Sequence, residues 1–157
     1  MTRRNGFFAV LTAIALVLVF ATPIGPLPGF FIGGKSSPNP TVWSDTSKVD
    51  EILLKVPGTL PRVVIIWVVQ VESQLYVVGS SDSGWVQRIG QGAPVEMRLQ
   101  GRTYLMHATP VTSGLQAILT AYANKYRPNY PDIVAGFPSL DDSEDAFGVF
   151  RLDPRSG

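Results

Sequence analysis

Apolar residues follow different rhythms in different parts of the chain. Residues 7–21 are almost wholly apolar, and no charge appears between Arg4 and Lys35. Residues 44–56 place Val49, Ile52, Leu53 and Val56 on one face at helical spacing. Asp45, Thr46 or Ser47 can cap that helix, Asp50 and Glu51 lie near its positive end, and Pro57-Gly58 stops it. Residues 62–71 (RVVIIWVVQV) are continuously apolar and rich in β-branched side chains, which predicts a central strand buried on both faces. Glu72-Ser73-Gln74 turns the chain into a second strand over residues 75–78.

Asp82 or Ser83 can cap a short helix over residues 84–89, ended by Gly90 or Gly92. Residues 95–100 alternate, with Val95, Met97 and Leu99 inward. Gln100-Gly101 suits a tight turn, and residues 102–111 return as the next strand. Ser113 can cap a long helix carrying Leu115, Ile118, Leu119, Tyr122 and Tyr126 at helical spacing, with Pro128 as its stop. Residues 129–145 read as a loop, and residues 146–152 as a last short strand. Hairpins dominate this order, so the sheet is mainly antiparallel. Closure into a small barrel would remove its edges and bury the apolar first strand.

The apolar N-terminus changes the picture. About fifteen residues fall short of the roughly 17–25 that span a bilayer, and Pro23, Pro26 and Pro28 interrupt any extension. Two readings stand. One is an uncleaved anchor with a proline-rich exit. The other is a signal peptide cut after Val19-Phe20-Ala21. In both, Arg3 and Arg4 favour a cytoplasmic N-terminus and an extracytoplasmic domain. The organisation is then a signal-anchor or transmembrane segment over residues 1–34, a Pro/Ser/Asn linker over 35–40, and a folded domain over 41–157.

Charge and composition exclude several classes. The net charge of +1 and the lack of a basic stripe speak against a nucleic-acid partner. The absence of cysteine removes disulfides, thiol nucleophiles and the common zinc sites. His107 is the sole histidine, reads as structural or exposed, and supports no metal centre. The nearby serines lack the nucleophile-elbow pattern that a hydrolase would need. Asp141-Asp142-Ser143-Glu144-Asp145 fits no calcium loop and reads as solvated.

The stretch GSSDSGWVQRIG, residues 79–90, is the strongest chemical candidate. Ser80, Ser81 and Ser83 offer hydroxyls, and Gly84 permits close backbone approach. Arg88, one turn on, could clamp a phosphate. Ser/Asp/Gly clusters also serve as plain cap chemistry. Trp85 can cover a ligand or simply pack, Trp67 belongs to the core, and Tyr122, Tyr126 and Tyr130 form either a pocket wall or a core face.

Ile66-Trp67-Val68-Val69, Leu75-Tyr76-Val77, Gly84-Trp85, Ala121-Tyr122, Lys125-Tyr126 and Phe150-Arg151-Leu152-Asp153-Pro154 occur in an order similar to the split β-barrel flavin-binding superfamily, the pyridoxamine-phosphate-oxidase-like proteins. They resemble an uncharacterised family of it, related to the deazaflavin-dependent nitroreductases. Where the deazaflavin proteins carry a Gly-Arg-Lys-Ser-Gly-like phosphate loop, this chain has Pro61-Arg62 before the strand and Glu72-Ser73-Gln74 after it. The resemblance implies a mainly β fold with helices (α+β), an antiparallel split barrel preceded by one N-terminal hydrophobic helix. It implies FMN or a deazaflavin as cofactor, held by Ser80, Ser81, Ser83, Gly84, Trp85 and Arg88, with no protein acid or base required. A homodimer with its cofactor slot at the subunit interface is also implied. The alternative is a non-enzymatic module that uses the same barrel to bind a small molecule or to dimerise.

The two N-terminal readings separate by mass. Intact-mass spectrometry of the protein extracted from membranes is expected to find residues 1–21 retained; a mature chain starting at Thr22 means cleavage instead.

Overall fold

The computed structural model describes residues 29–136 and 146–155. Strands β1 (Lys35–Ser36), β2 (Glu51–Val56), β3 (Arg62–Val71), β4 (Gln74–Ser80), β5 (Ala93–Leu99), β6 (Arg102–Pro110) and β7 (Phe147–Pro154) form one sheet. Its helices are α1 (Gly84–Ile89), α2 (Leu115–Tyr126) and α3 (Pro131–Ala135). The order is β1-β6-β5-β2-β3-β4-β7, and β7 also pairs with β6. That second pairing closes β2 to β7 into a six-stranded antiparallel barrel, with β1 parallel on β6. Leu152 marks the closure, opposite Leu75 on β4 and Ala108 on β6.

Three local expectations differ: Gly114 and not Ser113 is the N-cap of α2, the stretch read as a loop after Pro128 holds α3, and the first helix is replaced by a strand. Residues 44–56 do not form a helix: residues 44–50 are irregular and Glu51–Val56 is strand β2. The sequence supports both periods, because Ile52, Leu54 and Val56 alternate as cleanly as Val49, Ile52, Leu53 and Val56 repeat. Tertiary pairing decides. β2 fills the gap between β3 and β5, matching Glu51 to Trp67 on one side and Leu53 to Arg98 on the other. Ile52, Leu54 and Val56 then enter the barrel interior. Asp45 caps no helix. Its carboxylate accepts from the Ser47 amide at 2.8 Å and the Ser47 hydroxyl at 2.8 Å in a local turn.

The hairpins follow the expected positions. Gln100 and Gly101 join β5 to β6, both at positive φ (48° and 79°). Glu72 and Ser73 join β3 to β4 at φ 53° and 83°, a left-handed conformation that non-glycine residues adopt at a cost of roughly 1 kcal/mol each.

Two apolar cores share β3. The barrel interior holds Leu54, Val68, Leu75, Val77, Met97, Met106 and Leu152. The outer face carries α2 and α3 over Val69, Val78 and Val149, sealed by Ile118, Leu119, Tyr122 and Val134. β3 is thus buried on both faces where the layers overlap, as its unbroken apolar run predicts. The tyrosines form a core face. Trp67 stacks on Tyr126 at 4.1 Å and lies 4.9 Å from Tyr130.

Upstream of Glu51 the chain peels away from β3, and α2 fills the seam. The Tyr126 hydroxyl accepts from the Val68 amide at 2.9 Å and donates to the carbonyl of Asp50 (2.6 Å) or Val68 (2.7 Å). Lys125 Nζ donates to the carbonyls of Thr46 (3.0 Å), Val49 (2.7 Å) and Val68 (2.7 Å). Burial pushes the Tyr126 hydroxyl well above the ordinary tyrosine value. Burial likewise pulls the Lys125 ammonium down, against the carboxylates of Asp50 and Asp45.

The stretch read as a linker lies along the barrel. Lys35 and Ser36 pair with Arg102 and Thr103, and Asn39 Nδ2 donates to Leu105 O at 2.8 Å. Upstream, Gly29 forms an antiparallel bridge with Val63, with both backbone hydrogen bonds at 2.7–2.8 Å. Of the signal-anchor or transmembrane segment expected over residues 1–34, residues 1–28, with the hydrophobic helix, lie outside the described residues. Residues 29–34 lie against the barrel, with Ile32 buried. The acidic run of residues 141–145 is also outside the described residues. Among the described residues no helix is long and apolar enough to cross a membrane.

Tyr126→Phe strips partners from buried backbone groups and is expected to cost about 1–3 kcal/mol in urea unfolding. Tyr130→Phe is expected to cost under about 0.5 kcal/mol. Equal midpoints for the two variants would contradict the role given to the Tyr126 hydroxyl.

Candidate functional site

Helix α1 sits in a seat made by two cross-strand glycines. Gly79 on β4 pairs with Gly148 on β7. A Cβ on Gly79 would collide with the Trp85 ring, and one on Gly148 with Val86. Val86 and Ile89 enter the barrel core, and Trp85 lies against Phe150 with ring centroids 5.9 Å apart. The sequence GSSDSGWV therefore builds a strand end, a turn and one helical step that lock onto the barrel through Trp85 and Val86. Trp85 packs, and its remaining exposed part borders a cleft.

That cleft, of about 280 Å³, is lined by Val56, Arg62, Val64, Ser83, Gly84, Trp85 and Arg88. Four of the six residues expected to hold a cofactor thus share one opening. Ser80 and Ser81 do not line it. Their roles are local: Ser80 O accepts from the Ser83 amide at 2.9 Å, and the Ser81 amide donates to Ala146 O at 3.0 Å.

The hydroxyl donors expected from Ser83 need correction. Ser83 is the N-cap residue of α1, yet it makes no side-chain cap bond, and its Oγ donates back to Ser80 O at 2.7 Å. The turn, rather than a guest, takes that proton. Gly84 behaves as expected: nothing lies within 4 Å of where its Cβ would be, so the backbone there is open.

Arg88 is held on one side only. Its Nη1 donates to Pro57 O and Leu60 O, both at 3.1 Å, which braces residues 57–60 against α1. Gly58, at φ 151°, leaves room for the guanidinium, since a Cβ there would overlap Nη1. A planar guanidinium fixed by one nitrogen keeps its other donors in a set direction. Arg62 is the second cation of the cleft. With Pro61 it stands where the deazaflavin proteins carry their phosphate loop, but its place beside Arg88 comes only from the tertiary fold.

A larger cleft, about 600 Å³, is lined by Asp45, Thr46, Ser47, Val69, Gln70, Glu72, Ser73, Ala121 and Lys125. Its chemistry is spent inward. Gln70 Oε1 accepts from the amide and hydroxyl of Thr46, and Lys125 directs three bonds at backbone carbonyls. What faces outward includes the carboxylates of Asp45 and Glu72. Size favours this cleft; the pair of guanidiniums favours the α1 corner for an anion.

His107 lies on β6 opposite Asp153, whose carboxylate is held by Arg151 (2.6 Å) and Thr109 (2.6 Å). Burial works against the Asp153 charge, but these hydrogen bonds prevail and keep its carboxyl below the ordinary aspartate value. Among the described residues no group of His, Asp and Glu is placed to hold a metal ion.

No family model matches the chain, and no curated protein does. Solved structures do. HutZ, the heme storage protein from Vibrio cholerae, superposes with a TM-score of 0.50 and 16% identity, over 71% of this chain and 86% of HutZ. The FAD and heme binding protein from Mycobacterium smegmatis superposes with a TM-score of 0.51 and 14% identity, over 69% of this chain. The match spans 62% of that protein's length. A putative pyridoxamine 5'-phosphate oxidase from Listeria innocua overlaps more loosely, at a TM-score of 0.43 and 12% identity, covering 69% of this chain and 86% of that one. The fold is the split β-barrel. At these identities the likeness is one of fold, and it bears out the split-barrel fold expected from motif order. These matches do not reach the narrower kinship with deazaflavin-dependent nitroreductases.

The glycine seat is testable without a ligand. Gly148→Ala is expected to cost about 1–3 kcal/mol in guanidinium unfolding by overpacking against Val86. Gly84→Ala, in open space at the helix start, is expected to be neutral or to stabilise by up to about 1 kcal/mol. Indistinguishable stabilities would contradict this packing.

Proposed function

We propose that the protein is a split-barrel binding protein of the flavin oxidoreductase type, tethered to or exported across a membrane by its apolar N-terminus. It receives the phosphate end of FMN, or of a deazaflavin, at the α1 corner. The observation that carries this reading is the meeting of Arg62, Arg88 and the open Gly84 backbone in one cleft. Two guanidiniums suit a phosphate carrying about two negative charges, and the bracing of Arg88 reduces the entropy lost on binding. Val56, Val64 and Trp85 supply an apolar wall beside the charges.

A bound flavin supplies the electron and hydride chemistry. The chain's contribution is then grip and orientation: Arg88 and Arg62 fix the anionic end, and Trp85 limits how the remainder can lie. The cleft fits the phosphate end rather than a whole cofactor, because ligand pockets usually run from about 300 to 1,000 Å³. This size supports the second reading, a non-enzymatic module that binds a small anion on the same barrel. HutZ and the Mycobacterium smegmatis protein are heme proteins, and heme carboxylates are anions too. Among the described residues, however, no His, Met or Tyr that could ligate iron lines the cleft. The donor set therefore favours a phosphate.

Titration of FMN into the full chain, followed by flavin fluorescence, tests this. Saturable binding is expected, weakened about tenfold or more by Arg88→Ala or by Arg62→Ala, the loss of one charge-assisted contact. Riboflavin, which lacks the phosphate, is expected to bind more weakly than FMN. No binding at several hundred micromolar FMN, or binding indifferent to both substitutions, overturns the reading.

A further inference from the structure

We infer that the barrel edge carrying Phe30, Phe31 and Leu60 lies flat on an anionic lipid bilayer. The inference rests on the membrane tether proposed above and adds which face meets the lipid. Phe30, Phe31 and Leu60 are 49%, 67% and 64% exposed, a large area for aromatic and aliphatic side chains on a small domain.

Backbone geometry sets them along one edge of the barrel, where the Phe31 ring lies over Gly33, beside Arg98. The antiparallel bridge of Gly29 to Val63 sends Phe30 toward Arg62 and toward the turn that carries Leu60. Leu60 is held in place, because its carbonyl accepts from Arg88 Nη1 at 3.1 Å. Arg88 thus stands beside Leu60, and Arg98, whose Nη1 donates to Ile32 O at 3.0 Å, stands beside Phe31. Apolar side chains flanked by cations match the boundary between acyl chains and anionic headgroups.

The rest of the chain points the same way. Residues 1–28 precede the described fold and contain the apolar run of residues 7–21. Eight Cα steps separate Ala21 from Gly29, so they lie at most about 28 Å apart. With that run in a bilayer, the edge held by Gly29 is the part of the barrel kept within reach of the headgroups. Membrane attachment that lasts needs more than one weak signal, and this face supplies a second.

The chain has no cysteine, so single-cysteine labelling is clean. The experiment uses the full chain in vesicles of phosphatidylcholine and phosphatidylglycerol at three to one. Nitroxide labels are placed at Leu60→Cys, Phe31→Cys, Ile133→Cys and Leu16→Cys, and relaxation by oxygen is compared with relaxation by an aqueous nickel chelate. The labels at positions 60 and 31 are expected to favour oxygen several-fold over the label at 133, an exposed apolar position on α3. A label at 60 as open to nickel as the one at 133 overturns the proposal. So does lipid-independent dipolar broadening at 60, which would mean that a second copy covers this face. The label at Leu16 reports separately on insertion of the apolar run, so the tether can stand while the docking face falls.

Discussion

The Tyr126 hydroxyl and the Lys125 ammonium occupy the seam where residues 46–50 part from β3. Between them they meet the carbonyls of Thr46, Val49, Asp50 and Val68 and the amide of Val68. A split in a barrel exposes backbone polar groups in the middle of a hydrophobic layer, where leaving them unpaired is costly. Here the partners come from the last turn of α2, so the seam and the outer helical layer are settled together. Trp67 stacked on Tyr126 holds the hydroxyl at its mark.

The far end of the barrel follows from that closure. With β2 seated between β3 and β5, and β7 spanning β4 and β6, the wall leaves α1 one place to rest: the glycine pair Gly79 and Gly148. Trp85 and Val86 fill that seat. Arg88 then projects to the loop of residues 57–60 and shares a cleft with Arg62 at the start of β3. The cations that make the corner attractive to an anion are therefore a consequence of barrel geometry. They come from segments twenty-six positions apart in sequence, 62 and 88.

Much of this was legible in the residues. The all-apolar β3, the alternation of β5, the turn at Gln100-Gly101 and the period of α2 each have one dominant reading, and the barrel follows from their order. Residues 44–56 had two. Their helical and alternating patterns are equally good, and only the vacancy between β3 and β5 selects the strand. The corner was half legible. Ser83, Gly84, Trp85 and Arg88 converge because they lie within one turn and one helix. Arg62 and the bracing carbonyls of Pro57 and Leu60 arrive through tertiary contacts that no local pattern encodes. The serine hydroxyls misled for a physical reason: in a tight turn the nearest acceptor is the chain's own carbonyl, as Ser83 and Ser80 show.

This barrel spends its polar chemistry inward at the Lys125 cleft and outward at the α1 corner. Chemical-shift mapping of the 15N-labelled chain with FMN addresses that contrast directly. The account predicts perturbations at the amides of Ser83, Gly84 and Trp85 and at the side chains of Arg62 and Arg88, with the Asp45–Lys125 cleft unmoved. Perturbations centred on Thr46, Gln70 and Lys125, with the α1 corner silent, would contradict it.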